Sequence, residues 1–358
     1  MVTLNFNDFY LILTPLLFIS TIWVLFFKLN SNSQKHSGNN TSTNVIKVSS
    51  NFTCVSTYYY ITILNIIGNL LLHGKSSIVW FNHFNINNFT ISLLGIFLFV
   101  SFTIFLLLCI SSKKANLVKS IDYIFSINNL IILLPYLFFV NTVFTFLFVL
   151  ECVSIVLLYK LISSKIWFKD PLNKTRGVNN SIPQNYINMV FFQYWVTFFS
   201  TIFIVYFYVN VFYIYGTSDW FIIQFLNDYD HDLEGQPLVN SRFKMFLVYV
   251  LLFSIFFKLG ITPLHLFKVE VYKGLPFLSI FFYTTYYFTV FFIFFLFFLT
   301  DFVGCFITQY YPILVLLVIV GCLYTIVLLF DVTFLKAFFT YSTILNSVGF
   351  LIAFVSGL

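Results

Sequence analysis

Two charged side chains stand inside long apolar stretches of the sequence, and both are of types that can carry a proton. Glu151 lies in VFTFLFVLECVSIVLLYKL, nine residues after that predicted span begins, which is about 14 Å along a helix. Lys258 lies fourteen residues after Lys244, about 21 Å along its helix by the same rise per residue. Since a charge at the centre of an isolated membrane helix costs about 2.5–3.5 kcal/mol, both side chains must face protein or water.

A predicted helix break follows Lys258 directly, at Gly260 and Pro263. Pro263 has no N–H, so it leaves the carbonyl of Leu259 without its helical donor. Interrupted helices at membrane depth are tolerated where the freed groups line a cavity or are covered by protein, and they mark ion sites in transporters. The alternative is a static buried salt bridge between Glu151 and Lys258 beside an incidental kink. Two intramembrane charges next to a break favour an ion or proton path.

Other polar residues near the break have less specific interpretations. His265 follows the break and is suited to proton relay by its near-neutral pKa, yet a histidine at a helix end also serves as an ordinary hydrogen-bonding group. We interpret Lys268, Glu270 and Lys273 as solvated residues at the membrane edge. Lys336, between the last two predicted spans, is interpreted as a basic anchor.

The elements that position these residues are predicted from hydropathy. The chain has 358 residues, of which 60% are hydrophobic and 8% charged, whereas soluble domains contain about 25% charged residues. With about 20 apolar residues per span, the sequence predicts an all-α, polytopic transmembrane helical bundle of about ten spans, with a broken helix near Lys258–Pro263. The predicted spans are residues 8–27, 58–74, 90–111, 119–140, 142–163, 187–213, 244–263, 276–299, 310–330 and 334–357.

Loops divide these spans into two predicted halves. Residues 30–52 are rich in Asn, Ser and Thr and predict a flexible loop, and 164–186 and 214–243 are two further loops. We predict an N-terminal five-span bundle at 1–163 and a second half with spans six to ten, including the broken helix, at 164–358.

Basic residues give the predicted orientation. They cluster in the loops after the first, third and fifth predicted spans, at Lys28, Lys35, Lys47, Lys113, Lys114, Lys165, Lys169, Lys174 and Arg176. The loop after the sixth span is acidic instead. The positive-inside tendency places the odd-numbered loops in the matrix or cytoplasm, with the N-terminus on the opposite side.

Composition argues against several other classes of protein. The five cysteines lie far apart without a C-x-x-C pair, and the histidines are not clustered, so neither a disulfide framework nor a metal site is predicted. The net charge of +6 comes from short loops, which membrane topology explains better than nucleic-acid binding.

Frequent Phe, Tyr, Ile, Asn and Lys with only two arginines are typical of an AT-rich genome, such as that of an organelle. The N-terminus shows neither a signal peptide nor a transit peptide, so we expect synthesis near the destination membrane.

Three motifs carry a resemblance to a known family. The run FKLGITPLHLFKVEVYKGLP at 257–276 resembles the signature F-K-[IL]-G-x-x-P-[FL]-H-x-W-x-P-[DE]-V-Y-x-G-x-P of the antiporter-like membrane subunits of respiratory complex I, above all the subunit 2 group. Phe267 and Val269 replace its tryptophan and second proline. FLFVLECVSIVLLY at 146–159 resembles the fifth-span carboxylate segment, and LKAFFTYSTILNSVGF at 335–350 resembles K-R-x-L-A-Y-S-S-I-x-H-x-G-Y.

The resemblance implies roles for individual residues in proton translocation. Glu151 and Lys258 correspond to a charge pair that switches when quinone reduction elsewhere drives protons through half-channels, and His265 and Lys336 lie on the same path. Where the family usually has a lysine in the sixth span, this chain has Gln193. Where the family has another lysine in the eighth span, the chain offers Tyr286 or Tyr287. Glutamine and tyrosine can hold water in a proton wire, but they cannot carry the same charge cycle. Two further departures, in the last motif, are Ala337 and Asn346 in place of an arginine and a histidine.

The resemblance also implies partners and location. It indicates a multi-pass protein of the mitochondrial inner membrane that has no redox cofactor of its own and contacts membrane lipids and the other membrane-arm subunits of complex I. Members commonly have more spans than the ten predicted here, so a separate polypeptide is expected to supply the missing C-terminal spans. Two alternatives remain open. One is a non-pumping scaffold of the same complex, and the other is a stand-alone cation/proton antiporter.

Overall fold

The computed structural model describes residues 77–79, 83–93, 95–97, 99–100, 103, 121–164, 184–232, 241–262, 264–330, 332 and 335–357. The predicted spans at 8–27 and 58–74, the predicted loop at 30–52 and Pro263 lie outside the described residues. By their internal contacts the residues form two compact units, Met1–Val140 and Asn141–Leu358. The predicted span at 142–163, assigned above to the first half, belongs to the second unit.

The first unit contains a short β-hairpin that the hydropathy pattern did not predict. Strands β1 (Ser77–Val79) and β2 (Phe84–Ile86) pair antiparallel, and a helical stretch follows at Asn88–Phe97. Helix α1 (Ile121–Leu133) continues into a 3-10 turn at Leu134–Phe139. Because Pro135 lacks an N–H, the regular α-helical hydrogen bonding of α1 cannot continue through it.

The second unit is helical throughout its described residues. Its helices are α2 (Val143–Ser163), α3 (Gln184–Tyr215), α4 (Trp220–Asp232), α5 (Ser241–Leu259), α6 (Leu266–Gly274), α7 (Phe277–Phe282), a π-helical turn (Tyr283–Tyr287), α8 (Phe288–Phe330) and α9 (Leu335–Gly357). Helix α3 packs against α2, α5 and α6, while α8 packs against α9, α5 and α4.

Close backbone approach holds α6 against α3. A Cβ added to Gly274 would lie 2.5 Å from the carbonyl oxygen of Asn185 and 2.5 Å from the Cβ of Met189. Both distances are shorter than van der Waals contact, so only glycine fits there. The glycine of the K-G-L-P sequence that ends α6 therefore serves helix packing.

In the part of the chain that the structure describes, three helices are long and apolar enough to cross a membrane, at Val143–Ser163, Asn185–Tyr215 and Ser279–Phe297. Together with the interruption after Lys258, they confirm the predicted all-α membrane bundle with a broken helix. Apolar side chains are exposed along these helices, among them Phe148, Val209 and Phe281. In a bundle of this kind, lipid or neighbouring subunits cover such surfaces.

Two details of the predicted layout are wrong. The spans predicted at 276–299 and 310–330 belong largely to one helix, because the 43-residue α8 includes the predicted loop between them. Pro312 within α8 lacks an N–H and removes one helical hydrogen bond without ending the helix. At about 1.5 Å per residue it is about 65 Å long, twice the hydrocarbon core of about 30 Å. Polar residues such as Asp301 lower the local hydropathy without interrupting helical hydrogen bonds. In addition, α4 lies within the predicted 214–243 loop.

Candidate functional site

The helix break is built by Gly260. Helix α5 ends at Leu259, and Gly260 adopts a left-handed φ of 65°. The N–H of Ile261 then donates to the carbonyl of Phe256 at 3.0 Å, as in the common glycine-terminated helix end. The break was predicted at Gly260 and Pro263, and the α-helix ends at Leu259, before both residues. Lys258 therefore sits in the last turn of α5, next to the reversal of the chain.

Lys258 is buried without a hydrogen bond. Its side chain is 2% exposed, and its Nζ has no hydrogen-bond partner among the described residues. The ring of Phe291 in α8 faces it, with the ring centroid 5.9 Å from Nζ. A cation–π contact needs the cation within about 6 Å of the centroid, so the contact to Phe291 lies at the limit and is weak. The ammonium form of Lys258 must draw its main stabilisation from elsewhere.

Glu151 supplies part of that stabilisation from a distance. Its carboxylate attracts Lys258 electrostatically, yet no ion pair within 4.0 Å joins the two described residues. Glu151 itself is exposed on α2 and accepts a 3.3 Å hydrogen bond at Oε2 from the hydroxyl of Ser154. The structure thus places the predicted pair within electrostatic reach but not in contact.

Helical periodicity explains why Glu151 faces outward. The buried stripe of α2 consists of Phe146, Leu150, Val153, Leu157 and Lys160. The exposed stripe consists of Phe144, Phe148, Glu151, Ile155, Tyr159 and Ile162. Glu151 and Lys160 are nine residues apart, which is about two and a half turns, so they lie on opposite faces.

Two further buried lysines were missed or misread from the sequence. Lys160 is 1% exposed, and its Nζ lies 3.7 Å from the ring centroid of Phe282. Lys268 is also 1% exposed, with Nζ 4.6 Å from the ring centroid of Phe288. Neither Nζ has a hydrogen-bond partner in the described part of the chain. The interpretation of Lys268 as a solvated residue is therefore wrong.

The signal that identifies Lys268 as buried is its spacing. In α6 the buried residues are Lys268, Val269, Val271, Tyr272 and Gly274, so Lys268 shares its face with residues three and four positions later. Glu270 and Lys273 lie off that face and form a half-exposed ion pair of 2.6 Å. For these two residues the solvated interpretation agrees with the structure.

Gln193 is connected to Lys258 through a series of aromatic rings. Gln193 is 1% exposed and accepts a 3.4 Å hydrogen bond from the hydroxyl of Tyr283. The ring of Tyr283 stacks on Tyr287 at 4.7 Å, and Tyr287 contacts Phe291 at 4.7 Å between centroids. Phe291 is the ring nearest Lys258 in this series. Gln193, Tyr287 and Lys258, predicted separately, therefore lie along one continuous set of contacts.

The π-helical turn provides the tyrosines of this series. It comprises Tyr283–Tyr287, and Tyr283, Tyr286 and Tyr287 are all buried within it. Single π turns inside α-helices are frequent at functional sites, because the wider turn redirects neighbouring side chains. Tyr286 lies apart from the series and contacts Phe282 at 5.6 Å, the ring that faces Lys160.

His265 and Lys336 occupy the two ends of α6. His265 precedes the helix, is 1% exposed and packs edge-on against Tyr324 at 5.9 Å. Lys336 donates hydrogen bonds to the carbonyls of Leu275 at 2.7 Å and Lys273 at 3.3 Å. The contacts of Lys336 fasten the start of α9 to the end of α6. The place of Lys336 on a proton path stays a prediction.

The loop at the break is held against α8 by a second glycine. A Cβ added to Gly321 would overlap the side chain of Thr262, which is fully buried. Among the described residues, no cluster of three His, Cys, Asp or Glu side chains is arranged to bind a metal ion.

The chain resembles known proteins in sequence and in fold. Residues 187–357 match the family described as NADH:quinone oxidoreductase/Mrp antiporter, TM. An uncharacterized mitochondrial protein, ORF4, from Paramecium tetraurelia is 36% identical over 86 residues, which are 24% of this chain and 54% of that protein. The chain therefore covers about half of that relative's length.

Two solved structures share the fold. One is a chain of respiratory complex I from Thermus thermophilus with bound aureothin, at a TM-score of 0.60 and 13% identity, covering 94% of this chain and 64% of that one. The other belongs to an archaeal membrane-bound sulfane sulfur reductase, at a TM-score of 0.63 and 14% identity, covering 96% and 64%. The matched family region at 187–357 includes the broken helix and Lys258. Residues 187–357, just under half of the chain, thus resemble this family in sequence, and the chain shares its fold with the two solved chains named above.

Proposed function

We propose that the chain is a membrane-arm subunit of a proton-pumping NADH:ubiquinone oxidoreductase and contributes a proton path or the charges that couple it to electron transfer. The observation that carries this proposal is Lys258, a buried amine that has no hydrogen-bond partner among the described residues and lies at the end of a helix that breaks at Gly260. A static structural lysine would gain from direct hydrogen bonds or a contacting carboxylate. A lysine that takes up and releases a proton must not be held permanently in its charged form by such hydrogen bonds or by such a carboxylate.

The path that we propose runs along the contacts around Lys258. Glu151 acts on Lys258 from α2 by electrostatic attraction. Tyr283, Tyr287 and Gln193 supply polar groups on one side of Phe291. His265, three residues before Lys268, lies beyond the break. Water would connect these groups, because side chains separated by aromatic rings cannot exchange protons directly.

We further propose that the protein belongs to the subunit 2 group and works in the mitochondrial inner membrane. Its signature at 257–276 and its mitochondrial relative support this assignment. The chain carries no redox chemistry of its own, and ubiquinone reduction would occur in other subunits. A separate polypeptide contributing further spans stays a prediction.

Fractionation of native membranes tests membership in the complex. Membranes are solubilised gently and separated on a native gel, NADH oxidation is stained in the gel, and peptides are identified in each band. We expect peptides of this chain in a very large assembly that oxidises NADH. Finding the chain only in a small assembly without NADH activity would instead favour a stand-alone antiporter.

Variants of Lys258 test proton transfer against a scaffold role. Lys258→Met removes the titratable amine at similar volume, whereas Lys258→Arg keeps a charge that resists deprotonation. We expect both variants to assemble and to lower the protons taken up per NADH, or to slow NADH oxidation through coupling. Proton uptake and NADH oxidation are measured in sealed vesicles and normalised to assembled complex.

The matched control is Lys273→Met, which removes a half-exposed lysine paired with Glu270. This control should keep the wild-type number of protons per NADH. On the scaffold hypothesis, Lys258→Arg would be nearly silent and Lys258→Met would affect assembly alone. Wild-type rate and stoichiometry in both Lys258 variants would reject the role assigned to this residue.

A further inference from the structure

We propose that Lys268 is a second proton-carrying residue that works with Lys258 across the helix break. The two lysines approach the same aromatic face of α8, one from each side of the break. This inference rests on the proposed function, since it extends a proton path through Lys258.

Burial distinguishes Lys268 from the other charged residues of α6. Its side chain is 1% exposed, and its Nζ has no hydrogen-bond partner among the residues that the structure describes. Glu270 and Lys273, on the same short helix, pair with each other and are about one-third exposed. A leucine or methionine would fill the site of Lys268 without the cost of burying an amine. Packing alone therefore does not explain a lysine at this position.

The break brings Lys268 against the end of α5. A Cβ built on Gly260 would lie 3.0 Å from the Cδ of Lys268 and 3.3 Å from its Cβ, so the stem of Lys268 lies directly against Gly260. Gly260 follows Lys258 by two residues in the chain. Because glycine has no side chain, α6 can return close to the helix end that carries Lys258.

Both amines face one strip of α8. The Nζ of Lys268 lies 4.6 Å from the ring centroid of Phe288, and the Nζ of Lys258 lies 5.9 Å from that of Phe291. Phe288 and Phe291 are three residues apart, so they are neighbours on one helical face, about 4.5 Å apart along the axis. The aromatic face offers each ammonium a similar environment and fixes neither of them by a hydrogen bond.

The other ionisable groups around this pair lie on several elements. Glu151 of α2 attracts Lys258, His265 lies one turn before Lys268 in a contact with Tyr324 of α8, and the Glu270–Lys273 pair lies off the buried face of α6. The backbone carbonyl of His265 accepts a 3.0 Å hydrogen bond from the N–H of Lys268. The proposed order of the groups is Glu151, Lys258, Lys268 and His265.

The proposed step moves one proton and no other atom. An N–H bond of the Lys258 ammonium breaks, the proton passes through water to the neutral amine of Lys268, and an N–H bond forms there. Lys258 is left as a neutral amine and Lys268 as an ammonium. Release of the proton from Lys268 and uptake of another by Lys258 restore the starting state.

The experiment compares Lys268→Met, Lys268→Arg, Lys258→Met and the double variant Lys258→Met/Lys268→Met in the native complex. Proton uptake per NADH is measured in sealed vesicles and normalised to assembled complex. We expect Lys268→Met to lower the stoichiometry as much as Lys258→Met does, and the double variant to be no worse than either, because both lysines serve one path. Lys268→Arg should not restore transport, since arginine resists deprotonation. Lys273→Met should leave the stoichiometry at the wild-type value.

The outcomes separate this inference from the proposed function. Wild-type stoichiometry in Lys268→Met together with a loss in Lys258→Met overturns the role of Lys268 alone, whereas wild-type stoichiometry in both overturns the proposed function. Full activity of Lys268→Arg also overturns the carrier role, because it would mean that a fixed charge suffices. If Lys268→Met does not assemble, Lys268→Arg decides the question by the same criterion.

Discussion

Replacing Gly260 by alanine tests how the break positions the two lysines. Gly260 has a φ of +65°, and a residue with a Cβ pays about 1–2 kcal/mol in this left-handed region. The new Cβ would also lie 3.0 Å from the Cδ of Lys268 and 3.1 Å from the Cζ of Phe267. Crowding of this kind costs about 1–3 kcal/mol, and we expect the lower end because the lysine stem can bend.

Gly216→Ala is the matched control for backbone strain. Gly216 has nearly the same φ, +68°, but a Cβ added to it meets no atom within 4 Å. The control should therefore lose only the backbone contribution of about 1–2 kcal/mol. The difference between the two variants measures the contacts of position 260 with Lys268 and Phe267, and we expect Gly260→Ala to be the more destabilised by about 1 kcal/mol or more.

The assay heats membranes in steps and follows the fraction of assembled, NADH-oxidising complex on native gels. Both variants should lose the complex at a lower temperature than wild type, and Gly260→Ala at the lowest. Proton uptake per NADH in sealed vesicles should fall only in Gly260→Ala, because only this substitution displaces Lys268 from its place against the end of α5.

Three results would refute parts of this reasoning. Equal loss of assembly in the two variants would mean that the contact with Lys268 contributes nothing. Wild-type stability of Gly216→Ala would contradict the cost assigned to the left-handed backbone. Wild-type proton stoichiometry in an assembled Gly260→Ala complex would show that the position of Lys268 against the break does not matter for transport.

The remaining predictions concern neighbouring polar contacts and the membrane surface. Tyr283→Phe removes the hydrogen bond to Gln193 and should slow proton uptake, with a stability cost of about 1 kcal/mol. The control Tyr194→Phe changes a half-exposed neighbour of Gln193 and should keep the wild-type rate of proton uptake. Equal rates in the two variants would contradict a role for the contact between Tyr283 and Gln193. Lys336→Met removes two hydrogen bonds to the end of α6 and should lower the stability of the complex by about 1–2 kcal/mol without changing the number of protons taken up per NADH. A lower number of protons per NADH would instead support a place for Lys336 on the proton path. A photo-crosslinker at Phe339, exposed on α9, should capture a separate membrane polypeptide with an intramembrane Lys or Glu, and labelling of lipid alone would count against it.

Much of the architecture could be predicted from hydropathy. The apolar runs at 142–163 and 187–213 correspond to α2 and α3 with small shifts at their ends. The break next to Lys258 was also predicted, because glycine and proline are poor residues for a helix interior. Hydropathy did not predict the continuity of α8, since local polarity does not disrupt backbone hydrogen bonds.

The candidate site could be predicted only in part, and the reason is orientation. The predicted position of Glu151 inside a membrane span came from its distance along the chain. Its exposure depends instead on the face of α2 that it occupies. The same periodicity puts Lys160 on the buried face, although its position at the end of an apolar run resembles that of a solvated anchor. The distance of a residue along a helix and its direction around the helix axis are independent. Span prediction from hydropathy uses mainly the distance.

By itself the sequence determined the membrane environment, the helical class and the interruption after Lys258, because these follow from composition, span length and the properties of single residues. Only the tertiary structure decided which charges meet. It placed Glu151 within reach of Lys258 without contact, returned Lys268 across Gly260, and connected Gln193 to Phe291 through Tyr283 and Tyr287. Such relations depend on how α2, α3, α6 and α8 pack together, and packing is set by many weak contacts between residues far apart in the chain.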